Sequence, residues 1–163
     1  MGAVISDFDH SVSYNIRDCT FKNNFAVYGG AIYNYIEDSD NDQYFNVINC
    51  NFIGNYAHAL LNSGTIYNAL RNSNQVFNVR NTNFTENQVI GSAAGIYNSV
   101  HGNQILNVFD CNFKNNIAIN DSGAAIYSMD GLGQNSTILN SNFEDNHGTD
   151  GQGGAISNFR SDN

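Results

Sequence analysis

The sequence predicts an all-β fold, a solenoid of stacked parallel strands, on three observations. A motif recurs with a period near 30 residues in five copies, apolar residues alternate with period 2 in runs of strand length, and no apolar stripe of helical spacing is long enough for a helix. The first motif reads Cys19-Thr20-Phe21-Lys22-Asn23-Asn24 and returns as Cys50 to Asn55, Thr82 to Asn87, Cys111 to Asn116 and Ser141 to Asn146. The Phe-to-Phe spacings are 31, 32, 29 and 30.

A second motif follows each copy: Gly29-Gly30-Ala31-Ile32-Tyr33-Asn34, then the segments ending Ile66-Tyr67-Asn68, Ile96-Tyr97-Asn98, Ile126-Tyr127-Ser128 and Ile156-Ser157-Asn158. Gly2-Ala3-Val4 reads as the tail of one more copy. A third column lies five residues before each Phe, at Ile16, Val47, Val79, Val108 and Ile138. Two residues further back stand Tyr14, Phe45, Phe77, Leu106 and Ser136. About three short strands per period imply a coil turning through three sheet faces, with neighbouring coils pairing in parallel at ~4.8 Å. About five coils then make a rod roughly 25 Å long.

Each repeat position becomes a column of like residues. The Phe21/Phe52/Phe84/Phe113/Phe143 column is expected inside, each ring worth roughly 1.5–3 kcal/mol on burial. The Ile32/Ile66/Ile96/Ile126/Ile156 column is expected to form a second internal stack. Gly or Ala two residues before each Ile permits close packing across the core. Asn24, Asn55, Asn87, Asn116 and Asn146 stand three residues after each Phe. Asn tolerates the left-handed conformation at a bend, and stacked amides can hydrogen-bond coil to coil as a structural ladder. Cys19, Cys50 and Cys111 share one column with Thr82 and Ser141, which reads as a buried small hydrophobe. An odd cysteine count fits no closed disulfide framework. A Cys19–Cys50 bridge would have to join adjacent in-register strands.

Composition excludes several classes of function. Lys+Arg is 6 against Asp+Glu 15, a net charge of −9. That leaves too little positive charge to neutralise phosphates or to hold an anionic membrane surface. No apolar run is long enough to insert into a bilayer. The 30 Asn are spaced through the chain, and many fall in the columns and the turns beside them. The absence of Pro suits strands paired on both sides. Met1-Gly2-Ala3-Val4-Ile5-Ser6 has neither the basic nor the apolar region of a signal peptide. The chain is therefore either cytosolic or a piece of a longer exported chain; the expectation is one domain over 1–163, cut mid-repeat from a longer repeat protein.

The pairing of Phe-x-x-Asn with Gly-Gly-Ala-Ile, often with Cys two before the Phe, resembles the repeats of polymorphic outer-membrane proteins. Adhesin-like surface proteins of bacteria and methanogenic archaea share the pattern. Gly-Gly-Ala-Ile is intact at 29–32 and 153–156 and degenerate in the middle three copies. The resemblance covers nearly the whole chain. It implies a right-handed parallel β-helix in an exported, autotransporter-like passenger or stalk, with adhesion as its role and no catalytic residues.

Four sets of residues are candidates for chemistry. Asp38-x-Asp40-x-Asp42 has the opening spacing of a calcium loop, although Gln43 and Asn49 occupy positions where an EF-hand has Gly and Glu. Asp7 and Asp9 of the preceding loop could complete a calcium site; the alternative is a solvated acidic loop, and no other cofactor is suggested. Tyr33, Tyr67, Tyr97 and Tyr127 each follow an inward Ile, so alternation points them outward. They would form an exposed stripe for sugar rings or a neighbouring rod, or else a ladder that only stabilises the sheet, or a corner that turns the rings inward. His10 pairs with His101 and His58 with His147 in two loop families, each pair three coils or about 14 Å apart, so no transition-metal site follows. Asn83, Asn120 and Asn135 begin glycosylation sequons.

Catalysis on a β-helix needs clustered carboxylates in a groove. The only rich cluster is the 37–42 loop, and Arg17 and Arg80 are two coils apart. The reading is therefore a non-enzymatic, extracellular, adhesin-like module at the cell surface: a rigid stalk presenting loops or an aromatic stripe to glycans or surface proteins of another cell. The alternatives are a fibre subunit that stacks on itself end to end through uncapped coils, and a polysaccharide-degrading enzyme.

Overall fold

The computed structural model describes residues 3–5, 13–36, 42–59, 63–71, 73–119, 123–130, 134–151 and 153–160. Every strand pairing among them is parallel. The chain is a β-solenoid of about four turns, with no helix among the described residues. Sheet 1 stacks Ala3–Ile5, Gly29–Ile36, Gly64–Arg71, Ile96–His101, Ile126–Asp130 and Ile156–Arg160. Sheet 2 stacks Ser13–Arg17, Gln43–Ile48, Gln75–Arg80, Gln104–Phe109 and Gln134–Leu139. Sheet 3 holds the Phe strands Thr20–Lys22, Asn51–Ile53, Asn83–Thr85, Asn112–Lys114 and Asn142–Glu144. Sheet 4 holds Phe25–Ala26, Tyr56–Ala57, Gln88–Ile90, Ile117–Ile119 and His147–Gly148.

Each full coil thus turns through four strands, where the repeat pattern predicts three. The reason is a second left-handed corner. The first corner, between sheets 2 and 3, falls on Asp18, Asn49, Asn81, Asp110 and Asn140, all with φ between 49° and 56°. Short polar side chains are the non-Gly residues that tolerate this conformation best. The second corner, between sheets 3 and 4, falls on Asn23, Gly54, Glu86, Asn115 and Asp145, with φ between 51° and 59°. The left-handed residue is therefore the one before each ladder asparagine, not that asparagine itself. Backbone bonds continue from rung to rung at both corners: Asn49 N donates to Arg80 O at 3.1 Å and Gly54 N to Thr85 O at 3.0 Å.

The main core lies between the inner faces of sheets 1, 2 and 3. Phe52, Phe84 and Phe113 are fully buried, as are Val47, Val79 and Val108 and the isoleucines Ile32, Ile66 and Ile96. The Phe rings stack at 4.6 to 4.9 Å with interplanar angles of 1–6°. This is the strand spacing expressed in side chains. Phe45 stacks on Phe77 at 4.6 Å in the neighbouring column. Small residues let sheet 4 approach sheet 1. A Cβ on Gly30 would lie 3.2 Å from the Tyr56 backbone. Ala57, Val89, Ala94, Ala118 and Ala124 fill that narrow second core.

Candidate functional site

A solenoid has no single cleft, so its chemistry is a set of columns. At the second corner Asn24, Asn55, Asn87, Asn116 and Asn146 form a continuous amide ladder. Their Nδ2 groups donate to the next rung's Oδ1 at 2.8 to 3.0 Å. Each accepting Oδ1 also takes the backbone N–H of the preceding asparagine, at 2.9 to 3.2 Å. From Asn55 onward the second amide hydrogen goes to a Phe carbonyl, as in Asn87 Nδ2 to Phe52 O at 3.0 Å. Asn55, Asn87 and Asn116 are fully buried and spend their amides on backbone that the corner would otherwise strand.

A second polar spine, unforeseen from the sequence, closes the junction of sheets 1 and 2. Asn34, Asn68 and Asn98 point inward beside Gln43, Gln75 and Gln104, all at most 2% exposed. Asn34 donates to Asn68 and Asn68 to Asn98, both at 2.7 Å. Gln104 donates to Gln75 at 2.7 Å, Gln134 donates to Gln104 at 2.8 Å, and Gln75 donates to Gln43. Across each rung the two amides pair with one another, Asn98 to Gln104 at 2.6 Å and back at 2.9 Å. The signal was a glutamine nine residues before Phe52, Phe84, Phe113 and Phe143.

The cysteine column holds free thiols: Cys50 and Cys111 are buried and Cys19 is half-buried. No Cys19–Cys50 bridge forms. The slot selects a donor more than a hydrophobe. Cys111 Sγ lies 3.2 Å from Phe109 O and Ser141 Oγ 3.0 Å from Leu139 O, while Thr82 Oγ1 lies 2.8 Å from Arg80 O. Each donates to the carbonyl two residues back and so caps the first corner. Burial pushes the Cys111 thiol up to about 11 and raises Cys50 as well.

The tyrosines stack as a ladder on the outer side of sheet 1, with ring centroids 5.0 Å apart for Tyr33–Tyr67 and Tyr67–Tyr97 and 5.6 Å for Tyr97–Tyr127. Of the alternatives, the exposed stripe is corrected here and the rings form the covered ladder: Tyr97 is 1% and Tyr127 9% exposed, because Ala93 and Met129 pack on those rings. Tyr33 and Tyr67 keep partial exposure. Burial, and then neighbouring Tyr33, Tyr35 and Tyr28, push the Tyr67 hydroxyl up to about 12.

The outer face of sheet 2 is the more open surface. Tyr44, Ile105 and Leu139 are about half exposed there. A further amide ladder runs between them, Asn46 to Asn15 at 3.1 Å, Asn78 to Asn46 at 2.8 Å and Asn107 to Asn78 at 2.9 Å. Arg80 lies over the Phe109 ring at 5.0 Å. On sheet 3, Lys114 and Glu144 pair at 2.7 Å in the open, which raises the lysine and lowers the carboxylate.

Of the calcium candidates, Asp7, Asp9, Asp38 and Asp40 lie outside the described residues. Asp42 is exposed and accepts a hydrogen bond from Asn74 at 2.9 Å. His10 and Asn120 also lie outside them. His58, His101 and His147 are exposed, as are the sequon residues Asn83 and Asn135. Among the described residues no group of three or more His, Cys, Asp or Glu is placed to hold a metal ion.

The Chlamydia polymorphic membrane protein repeat matches the chain at two places, residues 18–35 and 110–129. Each window contains one Cys-x-Phe-x-x-Asn segment, both its corners and the following Ala-Ile strand. This is the repeat that the paired motifs resemble, and it describes a membrane-protein family at the cell surface, not an enzyme family. No curated protein and no solved structure matches the chain.

Proposed function

We propose that the chain is a rigid β-solenoid stalk of an adhesin-like protein, which holds its loops and one outer sheet face toward glycans or surface proteins of another cell. The observation that carries this reading is the conjunction of the surface-protein repeat at 18–35 and 110–129 with a core of continuous columns. Interior positions repeat, while at least one outward position on sheet 2 varies from coil to coil. Sheet 2 presents Tyr44, Val76, Ile105 and Asn135 at one outward position over four successive rungs. Paired strands and amide ladders hold these side chains at fixed spacing, so binding need not order them first.

The test is adhesion by the purified chain. Saturable binding to cultured cells is expected, together with antibody labelling of intact producing cells. Labelling only after permeabilisation, or binding that never saturates, would overturn the reading.

A further inference from the structure

The outer face of sheet 2 carries a groove of about 260 Å³ along the stacking direction. Its floor is the in-register column Tyr44, Val76 and Ile105. Tyr44 is 49% and Ile105 44% exposed, so apolar surface faces water here. One wall is a hydrogen-bonded ladder, Asn103 to Asn74 at 3.2 Å and Asn74 to Asp42 at 2.9 Å. On the other side, two residues further along each strand and beyond the groove's own lining, runs the Asn46/Asn78/Asn107 ladder. An asparagine amide has two donors and two acceptor lone pairs, and an interior ladder position uses one donor toward one neighbour and one lone pair toward the other. Each rung therefore offers donors and acceptors on both sides of an apolar strip. Among the described residues, Asp42 is the one charged residue lining the groove.

These features select a ligand. With a single charge among its described lining residues, the groove offers little to an anionic or strongly cationic partner. An apolar strip flanked by amides suits a molecule with C–H faces and hydroxyl edges. The repeat of ~4.8 Å suits a linear polymer that advances about one sugar per rung, whereas an extended peptide repeats at about 3.3 Å and falls out of step. We propose that this groove binds an uncharged, extended glycan lying along the solenoid axis. The sugar faces rest on Tyr44, Val76 and Ile105, and the hydroxyls meet the two flanking ladders. The proposal rests on the adhesin reading and names its ligand class and its site.

The experiment titrates the purified chain with neutral gluco-, manno- and N-acetylglucosamine oligosaccharides, from disaccharide to hexasaccharide, and with an anionic uronate series as comparison. Affinity for one neutral series should rise with chain length. Ile105→Asp should weaken it by at least about tenfold, while Leu139→Asp, on the same face outside the groove, should leave it unchanged. Circular dichroism and thermal unfolding check that both variants fold. Neutral glycan binding that ignores Ile105→Asp overturns the groove and leaves the adhesin reading standing. So does cell adhesion without neutral glycan binding, or binding of uronates alone. Loss of self-association on Ile105→Asp, seen by sedimentation velocity without glycan binding, overturns it in favour of a contact between two copies. Absence of any adhesion removes the adhesin reading itself.

Discussion

The two buried amide spines solve different problems. The corner ladder of Asn24, Asn55, Asn87, Asn116 and Asn146 bonds to backbone: Asn87 Oδ1 takes the Asn55 N–H at 2.9 Å while Asn87 Nδ2 supplies Phe52 O at 3.0 Å. Its geometry depends on a tight turn of fixed length, so the asparagine sits at one distance from the Phe in every copy. The sheet-junction spine of Asn34, Asn68 and Asn98 with Gln43, Gln75 and Gln104 bonds mainly to itself. Its two halves come from opposite sides of a loop, and they are separated by 9, 7 and 6 residues in successive coils. Side chains that cap a turn are constrained by the turn, whereas side chains that pair with each other are constrained only by where two strands arrive.

The sharpest way to break this comparison is to remove one amide from each spine. Asn87→Ala strands the Asn55 N–H and takes a donor from Phe52 O, in a site with no access to water. At about 1–3 kcal/mol for each buried group left unpaired, the loss should reach about 3–6 kcal/mol in urea unfolding. Gln75→Met keeps the shape but removes partners from Gln43, Asn68 and Gln104, which retain other amide contacts within the spine. The expected loss is smaller, about 2–4 kcal/mol. Equal losses would mean that backbone capping and side-chain pairing are equivalent, and the distinction would fail.

Legibility in the sequence follows the same division. The solenoid, its Phe and Ile columns and the corner asparagines are visible because Phe-x-x-Asn recurs at fixed internal spacing. The fourth strand per coil is not, because sheet 4 strands such as Phe25–Ala26 and Tyr56–Ala57 are two residues long and too short to show alternation. The Asn–Gln spine escapes because its partners sit across loops of unequal length. The covering of Tyr97 escapes because alternation reports which side of a sheet a residue faces, not what neighbouring chain such as Ala93 lays over it. The sheet 2 groove is two-dimensional: Tyr44, Val76 and Ile105 are unlike residues and become a strip only when strands stack in register.

The thiol column tests the capping principle with the smallest change. Cys111 donates to Phe109 O as Thr82 does to Arg80 O, and the next coil's hydroxyl receives the column's own N–H, Cys111 N to Ser141 Oγ at 3.2 Å. If the slot requires only a donor aimed at the corner, Cys111→Thr should stay within about 1 kcal/mol of the parent at neutral pH. The difference should appear in alkali. Burial holds the folded thiol near 11, above its ordinary value of 9.0, so the folded state keeps its proton after the unfolded chain has lost it. That contribution is fully present below pH 9.0 and lost as pH rises through about 11, up to about 3 kcal/mol at 1.36 kcal/mol per pKa unit. Cys111→Thr should abolish this part of the alkaline loss and leave the parts due to Cys50, which burial raises as well, and to Tyr67, whose hydroxyl titrates near 12. Urea unfolding of parent and variant between neutral pH and pH about 11 separates the two. A variant that loses as much stability as the parent between neutral pH and pH about 11 would show that the Cys111 thiol's burial is not what sets its ionisation.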